Sequence, residues 1–408
     1  MNSHFTFRPP ARNSAARNSA AQNLAARNSV GQHLQSARFG FTLVELLVVI
    51  TIIGILAGLA LPALLGAVER SRNATRKFEV TSVADAVEKY YQEYGDYPPD
   101  GSDLGVLQRH MRKLFPRMAS PDSSLLVNLT HVSGSFSPVA MDRAEALVFF
   151  LGGFSKDLTH PITGPGGPLE FKNYLGDNDK TNIANYQYNM NRENGHFEID
   201  AARLDVELTA SNGYRSSDEV RYKYSGTALS SRGGVDLLPT YLAKGGKTPL
   251  VYFDSRTYGD LGSGVYNGYL IGSEYGGVRP YKTQTGAEPP AGATYSTVPD
   301  AFAAVKFLNA NKFQIIHPGA DGIYGAALVD SSGSASPLPI HFIAETGEAV
   351  VPNAGAASVN ELKNIPTSGS PVTISRFSDS DWDTQIPVNG HLDNITNFST
   401  STLESDLP

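Results

Sequence analysis

The chain has 408 residues, no cysteine and a formal net charge of −7. The missing cysteine excludes a disulfide framework and any thiolate metal site. The acidic balance argues against nucleic-acid binding, which needs a basic surface to neutralise phosphates. The length suggests about two or three structural units, and abundant Gly, Pro, Tyr and Phe suit a globular, loop-rich, β-leaning body.

Residues 1–40 differ from everything after them. They carry five arginines (Arg8, Arg12, Arg17, Arg27, Arg38) and no Asp, Glu or Lys; the rest holds 28 basic and 40 acidic residues, a net charge of −12. Ala-Arg-Asn-Ser recurs at 11–14, 16–19 and 26–29. With so few apolar side chains to bury, this segment is expected to be disordered on its own. Two readings fit it: a basic leader held on the cytoplasmic side by the positive-inside rule, or residues ahead of a start codon further downstream. An ordinary secretory signal places its cleavage site after its apolar segment. Here the candidate site, Gly40/Phe41, comes before it, so cleavage would leave the apolar segment on the mature chain.

From Leu46 to Val68 there is no charged residue. That length suffices for a membrane-spanning helix, which needs roughly 20 apolar residues. Glu45 stands at its entrance, where a carboxylate in lipid costs on the order of a few kcal/mol unless paired. Beyond Val68 the helical period continues. Val80, Val83, Ala84, Val87, Tyr90, Tyr91 and Tyr94 form one apolar stripe, with Asp85, Glu88, Lys89, Gln92 and Glu93 opposite. Gly95, then Pro98 and Pro99, supply the stop. The pattern predicts one helix over 41–94, about 80 Å long, with a transmembrane segment over 41–68 and an amphipathic second half. Gly54 and Gly58 have the small-xxx-small spacing of close helix packing, although glycines are common in any membrane helix. Pro62 removes one backbone hydrogen bond and is expected to kink or loosen the helix.

Gly40-Phe41-Thr42-Leu43-Val44-Glu45-Leu46, then Ile53-Gly54-Ile55-Leu56-Ala57 and Leu61-Pro62, resembles the N-terminus of type IV pilins and type II secretion pseudopilins. The resemblance covers about residues 38–97. It implies that a prepilin peptidase cuts after Gly40 and that Phe41 becomes N-methylphenylalanine. It also implies that Glu45 meets the N-terminal amine of a neighbouring subunit, and that Pro62 is the family's helix-kinking proline. The partners implied are the peptidase, other pilin or pseudopilin subunits in a homo- or hetero-filament, and the cytoplasmic membrane. Two features depart from the pattern: the leader is long, and the 314 residues from Gly95 to Pro408 exceed a typical major pilin head.

The expected fold is α+β: the spine helix packed on a β-sheet-rich, loop-elaborated head over 95–408. Ala144–Leu151 reads as a short apolar helix ended by Gly152 and Gly153. Val220–Tyr224, Pro249–Phe253, Phe313–His317 and Pro339–Ala344 have β composition, and one antiparallel sheet is expected on the second half of the spine. Tyr94-Gly-Asp-Tyr-Pro-Pro-Asp100 resembles the exit from the pseudopilin spine. His317-Pro-Gly-Ala-Asp321-Gly-Ile-Tyr-Gly325 resembles the loop that binds calcium in major pseudopilins, which makes Asp321 the candidate calcium ligand. Asp177-Asn-Asp179-Lys-Thr181 and Asp379-Ser-Asp381-Trp-Asp383 are two further acidic clusters. For all three the alternative is an Asx-type turn without an ion. His391-Leu-Asp393-Asn-Ile-Thr-Asn397 reads as a structural edge. Motifs of metalloprotease, serine hydrolase and P-loop type are missing, and Gly262-Ser-Gly264 reads as a turn, so no enzyme is expected. The resulting expectation is a structural subunit of a type II secretion pseudopilus, single-pass in the inner membrane, with its head in the periplasm or at the surface. A minor type IV pilin, or a membrane-anchored binding domain that does not assemble, are the alternatives.

Overall fold

The computed structural model describes residues 40–130, 139–209, 213–216, 237–244, 246–259, 268–270, 277–284, 293–325, 341–353, 372–377 and 388–407. The leader 1–39, the segments 220–224 and 262–264, the acidic cluster 379–383 and the first two residues of 339–344 lie outside the described residues. The chain divides into two compact units, Met1–Pro62 and Ala63–Pro408.

Helix α1 (Leu43–Tyr94) has 52 residues and runs through Pro62 with no break in the helix. It begins two residues later than the pattern predicts, because Thr42 serves as its cap rather than its first turn. It stops where expected. The Gly95 N–H reaches the Tyr91 carbonyl at 2.7 Å with φ +65, a left-handed closure that glycine adopts without strain. In the first unit the apolar side chains from Leu43 to Leu61 are exposed on every face, and an 18-residue window of the helix has a mean hydropathy of 2.7 with none of it buried. A helix apolar all round suits lipid rather than water.

In the second unit the stripe does what its period predicts, with one correction. Val80, Val83, Val87 and Tyr90 are buried, and Ala86 joins them, while Tyr91 is 41% exposed. A turn of about 100° per residue puts Tyr91 at the rim of a stripe centred on Val83. There it stacks on Tyr97, ring centroids 4.3 Å apart. The stripe shares one core with Leu107 and Met111 of α2 (Leu104–Leu114) and with α4 (Ala146–Leu151), which follows a short turn, α3 (Asp122–Leu125). Asp103 caps α2, accepting the Val106 N–H, and Arg112 and Lys113 sit at its C-terminal end, where the helix dipole favours cations. All six residues of α4, Ala-Leu-Val-Phe-Phe-Leu, are buried, so it lies in the interior. It ends at Gly152 and Gly153 as the sequence predicts. Gly153 has φ +89, and a Cβ there would meet the Glu193 carbonyl at 2.3 Å.

The β-structure is more divided than the single expected sheet. Twelve short strands are described: β1 (Leu169–Phe171), β2 (Tyr186–Tyr188), β3 (Val206–Thr209), β4 (Gly213–Ser216), β5 (Val251–Asp254), β6 (Tyr269–Leu270), β7 (Gly277–Val278), β8 (Phe313–His317), β9 (His341–Phe342), β10 (Ala349–Asn353), β11 (Thr373–Phe377) and β12 (Ile395–Thr396). They form antiparallel pairs β1–β2, β3–β4 and β6–β7 and two three-stranded sheets, β11-β10-β9 and β12-β8-β5. The last of these is the sheet expected on the spine. Its register pairs Val251 with Ile316 and His317 with Ile395. Alternation sends Tyr252, Phe313 and Ile315 into the core shared with α1, and Val251, Phe253 and Ile316 into a second core. That second core holds Tyr258, Tyr269, Tyr281, Tyr324 and Phe342. The sheet therefore lies between two cores.

Polar groups fasten α1 to the head at intervals. The Lys77 ammonium donates to the Thr396 carbonyl at 2.8 Å, Arg203 pairs with Glu79, Lys312 pairs with Glu88 at 3.2 Å, and His196 meets Glu93 at 2.9 Å. The exit Gly95–Asp100 is held just as closely. Arg256 donates to both Asp96 carboxylate oxygens at 3.0 Å and to the Tyr97 carbonyl at 2.7 Å. The Tyr252 hydroxyl donates to the Pro98 carbonyl at 2.8 Å. Asp100, fully buried, accepts Arg143 Nε at 3.0 Å, Thr257 Oγ1 at 2.6 Å and Ser102 Oγ at 2.5 Å.

Candidate processing and assembly site

Gly40 and Phe41 lie ahead of α1 and are exposed, Phe41 at 79%. A Cβ added to Gly40 would meet nothing within 4 Å. The peptide bond between them is thus unobstructed by any described residue. Immediately after it comes a capping box. The Glu45 Oε2 accepts the Thr42 backbone N–H and the Thr42 hydroxyl, both at 2.8 Å, and the Glu45 N–H donates to Thr42 Oγ1 at 3.2 Å. These bonds satisfy backbone donors that a helix N-terminus leaves open. The sequence carries the signal, Thr-x-x-Glu before an apolar run, but the Glu45 charge draws attention away from it. Among the described residues the other carboxylate oxygen, Oε1, has no partner.

Gly54, Gly58 and Gly66 each have nothing within 4 Å of an added Cβ, so nothing within this chain requires their smallness. Pro62 lies inside α1 at the boundary between the two units.

The two described acidic loops resolve into turns and one unforeseen contact. Asp177 Oδ1 accepts the Asp179 N–H and the Asn185 side-chain amide, and Asp179 Oδ1 accepts the Thr181 N–H and hydroxyl. Asp321 Oδ1 accepts the Ile323 N–H at 2.7 Å. These are Asx-type turns. Asp393, read from sequence as part of an edge, reaches the Asp321 loop: its Oδ2 accepts the Ala320 N–H at 2.5 Å and the Asp321 N–H at 3.1 Å. Gly319, with φ +69, lies so close to that carboxylate that a Cβ would meet it at 2.2 Å. Burial, with the Asp321 charge adding to it, pushes Asp393 up to about 6. Burial also raises Asp321. No group of three or more His, Asp or Glu able to hold a metal lies together among the described residues. Calcium takes roughly six to eight oxygens; here Asp321 Oδ1 and Asp393 Oδ2 accept backbone N–H groups, while Asp393 Oδ1 is buried with no hydrogen-bond partner among the described residues. Nothing in the sequence announces the Asp393 contact, which spans 72 residues. The rest of that segment is structural, as expected. His391 stacks on Phe342 with centroids 3.7 Å apart, and Asn394 donates to the Tyr324 carbonyl and the Tyr281 hydroxyl.

A buried chain of polar groups went unread in the sequence. Tyr90 hydroxyl meets His110 Nε2 at 2.7 Å, His110 Nδ1 meets Asp96 Oδ2 at 2.9 Å, and Asp96 is held by Arg256. Burial opposes the Asp96 charge, but the His110 hydrogen bond and Arg256 outweigh it and hold the carboxyl at about 2. Tyr90 and His110 are both fully buried, and the chain fastens α1, α2 and the exit.

Residues 35–61 match the family model described as the prokaryotic N-terminal methylation motif. The chain is 41% identical over 73 residues to the fimbrial protein EcpC of Eikenella corrodens, covering 18% of this chain and 48% of the relative. It is 40% identical over 73 residues to the type IV major pilin protein PilE of Neisseria gonorrhoeae, covering 18% and 44%. It is 34% identical over 74 residues to the type II secretion system core protein G of Dickeya chrysanthemi, covering 18% and 48%. The chain thus spans about half the length of the curated relatives it matches, and no solved structure matches it. An exposed glycine–phenylalanine bond, a capped helix long and apolar enough in its first half to cross a membrane, and an α+β body make a pilin-like arrangement. Residues 35–61 thus carry the prokaryotic N-terminal methylation motif, and the N-terminal part of this chain is similar to type IV pilins and to a type II secretion system core protein G.

Proposed function

We propose that this chain is a filament subunit. It enters the cytoplasmic membrane through residues 41–68, loses residues 1–40 to a prepilin peptidase, is methylated at Phe41, and is drawn into a helical filament by packing of α1. The head, 95–408, faces the periplasm or the surface. The observation that carries the reading is the division of labour at Glu45. One carboxylate oxygen closes the capping box of its own helix, and the other has no partner among the described residues. In lipid an unpaired carboxylate is costly, and a neighbouring ammonium offsets that cost. Cleavage after Gly40 creates such an ammonium at Phe41 of every subunit, so each subunit would carry both halves of the pairing. A membrane-anchored domain that does not assemble makes no use of either half.

The test is mass spectrometry of the N-terminus in the membrane fraction. A mature chain beginning at N-methylated Phe41 supports the proposal, and any other N-terminus removes it. Two systems use such subunits. The fimbrial and pilin relatives support a pilus, with the large head favouring a minor subunit. The type II secretion system core protein G relative, together with the Asp321 loop, supports a secretion pseudopilus. Deleting the gene and scoring surface pili beside secreted protein separates them.

A further inference from the structure

A cavity of about 240 Å³ opens in the unit Ala63–Pro408, where three stretches of chain meet: α1 at Arg76, the turn bearing Lys244 and Lys247, and the loop from His317 to Gly322. The lining brings together three cationic side chains and one carboxylate, Asp321. Arg76 is bound to Glu69 and Asn73 through Nη1 alone. Among the described residues its other guanidinium nitrogens make no hydrogen bond, and Lys244 is exposed.

His317 is the decisive group. It is 1% exposed, and its Nδ1 accepts the Gly319 N–H at 3.1 Å. That bond assigns the ring proton to Nε2. Burial, with the Arg76 and Arg203 charges adding to it, holds the imidazole down at about 3, so it is neutral at physiological pH. Nε2 is then a buried N–H donor, and it has no hydrogen-bond partner among the described residues. Buried donors are seldom left open, at a cost of about 1–3 kcal/mol. A donor of this kind beside a guanidinium and two ammonium groups calls for an acceptor with negative charge.

We propose that this cavity holds a phosphate group, either free or on a lipid headgroup. A tetrahedral phosphate presents acceptor oxygens in several directions and can meet donors from all three stretches, whereas a planar carboxylate presents only two oxygens. Both sources are chemically open to it. Arg76 follows the last residue of the uncharged stretch, Val68, by eight positions, about 12 Å along the helix. Long basic side chains at that distance from an apolar segment lie within reach of lipid phosphates. The inference does not depend on filament assembly.

The experiment uses the full chain in detergent and follows its thermal midpoint against inorganic phosphate, with chloride at matched ionic strength as reference. The wild-type midpoint should rise with phosphate and saturate. Arg76→Gln and Lys244→Ala should each weaken the apparent affinity by about tenfold. Lys306→Ala, an exposed lysine outside the cavity, should not. Native mass spectrometry with phosphatidylglycerol then identifies the source. Lipid retained by the wild type and lost in Arg76→Gln and Lys244→Ala assigns a headgroup, and a phosphate response without such retention assigns free phosphate. Should Arg76→Gln fail to fold, Lys244→Ala on the exposed turn still decides. No response to either probe overturns the proposal, and so does an equal loss in Lys306→Ala, which would mark general surface charge.

Discussion

Glu45 caps its own helix, and substitutions at two positions separate that role from the pairing proposed for it in assembly. Glu45→Ala removes both the cap and the charge. Glu45→Gln removes the charge alone, since Gln serves at the third position of a capping box. Thr42→Val removes the hydroxyl, which exchanges two of the three capping hydrogen bonds with Glu45, and keeps the charge. Losing a cap costs about 0.5–2 kcal/mol, confined to the first turn. Losing one partner of a pair buried in low dielectric costs about 3–5 kcal/mol. At 1.4 kcal/mol per tenfold, that is more than about 100-fold in subunit addition. The expected order in filament yield, read by immunoblot of the sheared fraction, is therefore Thr42→Val close to wild type, with Gln and Ala equally deficient. All three variants should remain in the membrane pellet, because the apolar stretch is untouched. Wild-type assembly by Glu45→Gln alongside failure of Thr42→Val would refute the pairing argument and leave the cap as the reason for the glutamate.

Three further outcomes follow from the head. Asp100→Ala strands the buried Arg143 guanidinium and should lower stability by about 3–5 kcal/mol in denaturant unfolding, whereas Lys172→Ala, which breaks an exposed pair, should cost under about 1 kcal/mol. The pH dependence has two arms. Asp393 is raised to about 6 when folded, so its contribution is complete below the ordinary carboxylate range near 3.8 and is lost as pH rises through about 6; thermal melts should show that loss, and Asp393→Asn should abolish it. Asp96 is lowered to about 2, so its contribution is present above about 3.8 and disappears as pH falls toward about 2, an arm that Asp96→Asn should flatten. For the Asp321 loop, a chelator should leave the melting midpoint unchanged, and a rise with added calcium that Asp321→Ala removes would restore the calcium expectation.

How much of this was legible in the sequence depended on the range of the interaction. The spine was readable almost to the residue, because its signals are local: an uncharged run, a three-and-four period, Gly95 and two prolines. The short helix Ala146–Leu151 and the strands at 251–254 and 313–317 were readable for the same reason. Local signals also produced the one misplacement on the stripe, since Tyr91 is apolar and correctly spaced but falls at the rim, where Tyr97 receives it. The grouping of strands into small sheets on either side of β5 and β8 was not readable, because pairing between Val251 and Ile316 leaves no mark in either segment. The same holds for Asp393 against Asp321 and for Arg76 beside His317. The Gly40–Phe41 bond was the most legible part of the candidate site, because its signals are all local, and the capping box that follows it is written in the same few residues, Thr42 and Glu45.

The fastenings along α1 have a mechanical consequence. Lys77, Glu79, Glu88 and Glu93 bind the head at successive heights over 16 residues, about 24 Å of helix. Tension arriving along the helix axis would load all four in shear at once, so none gives way first as the lead tooth of a zipper would. A force sideways to the axis would meet them one after another. A head fastened this way resists tension along α1 more strongly than peeling away from it.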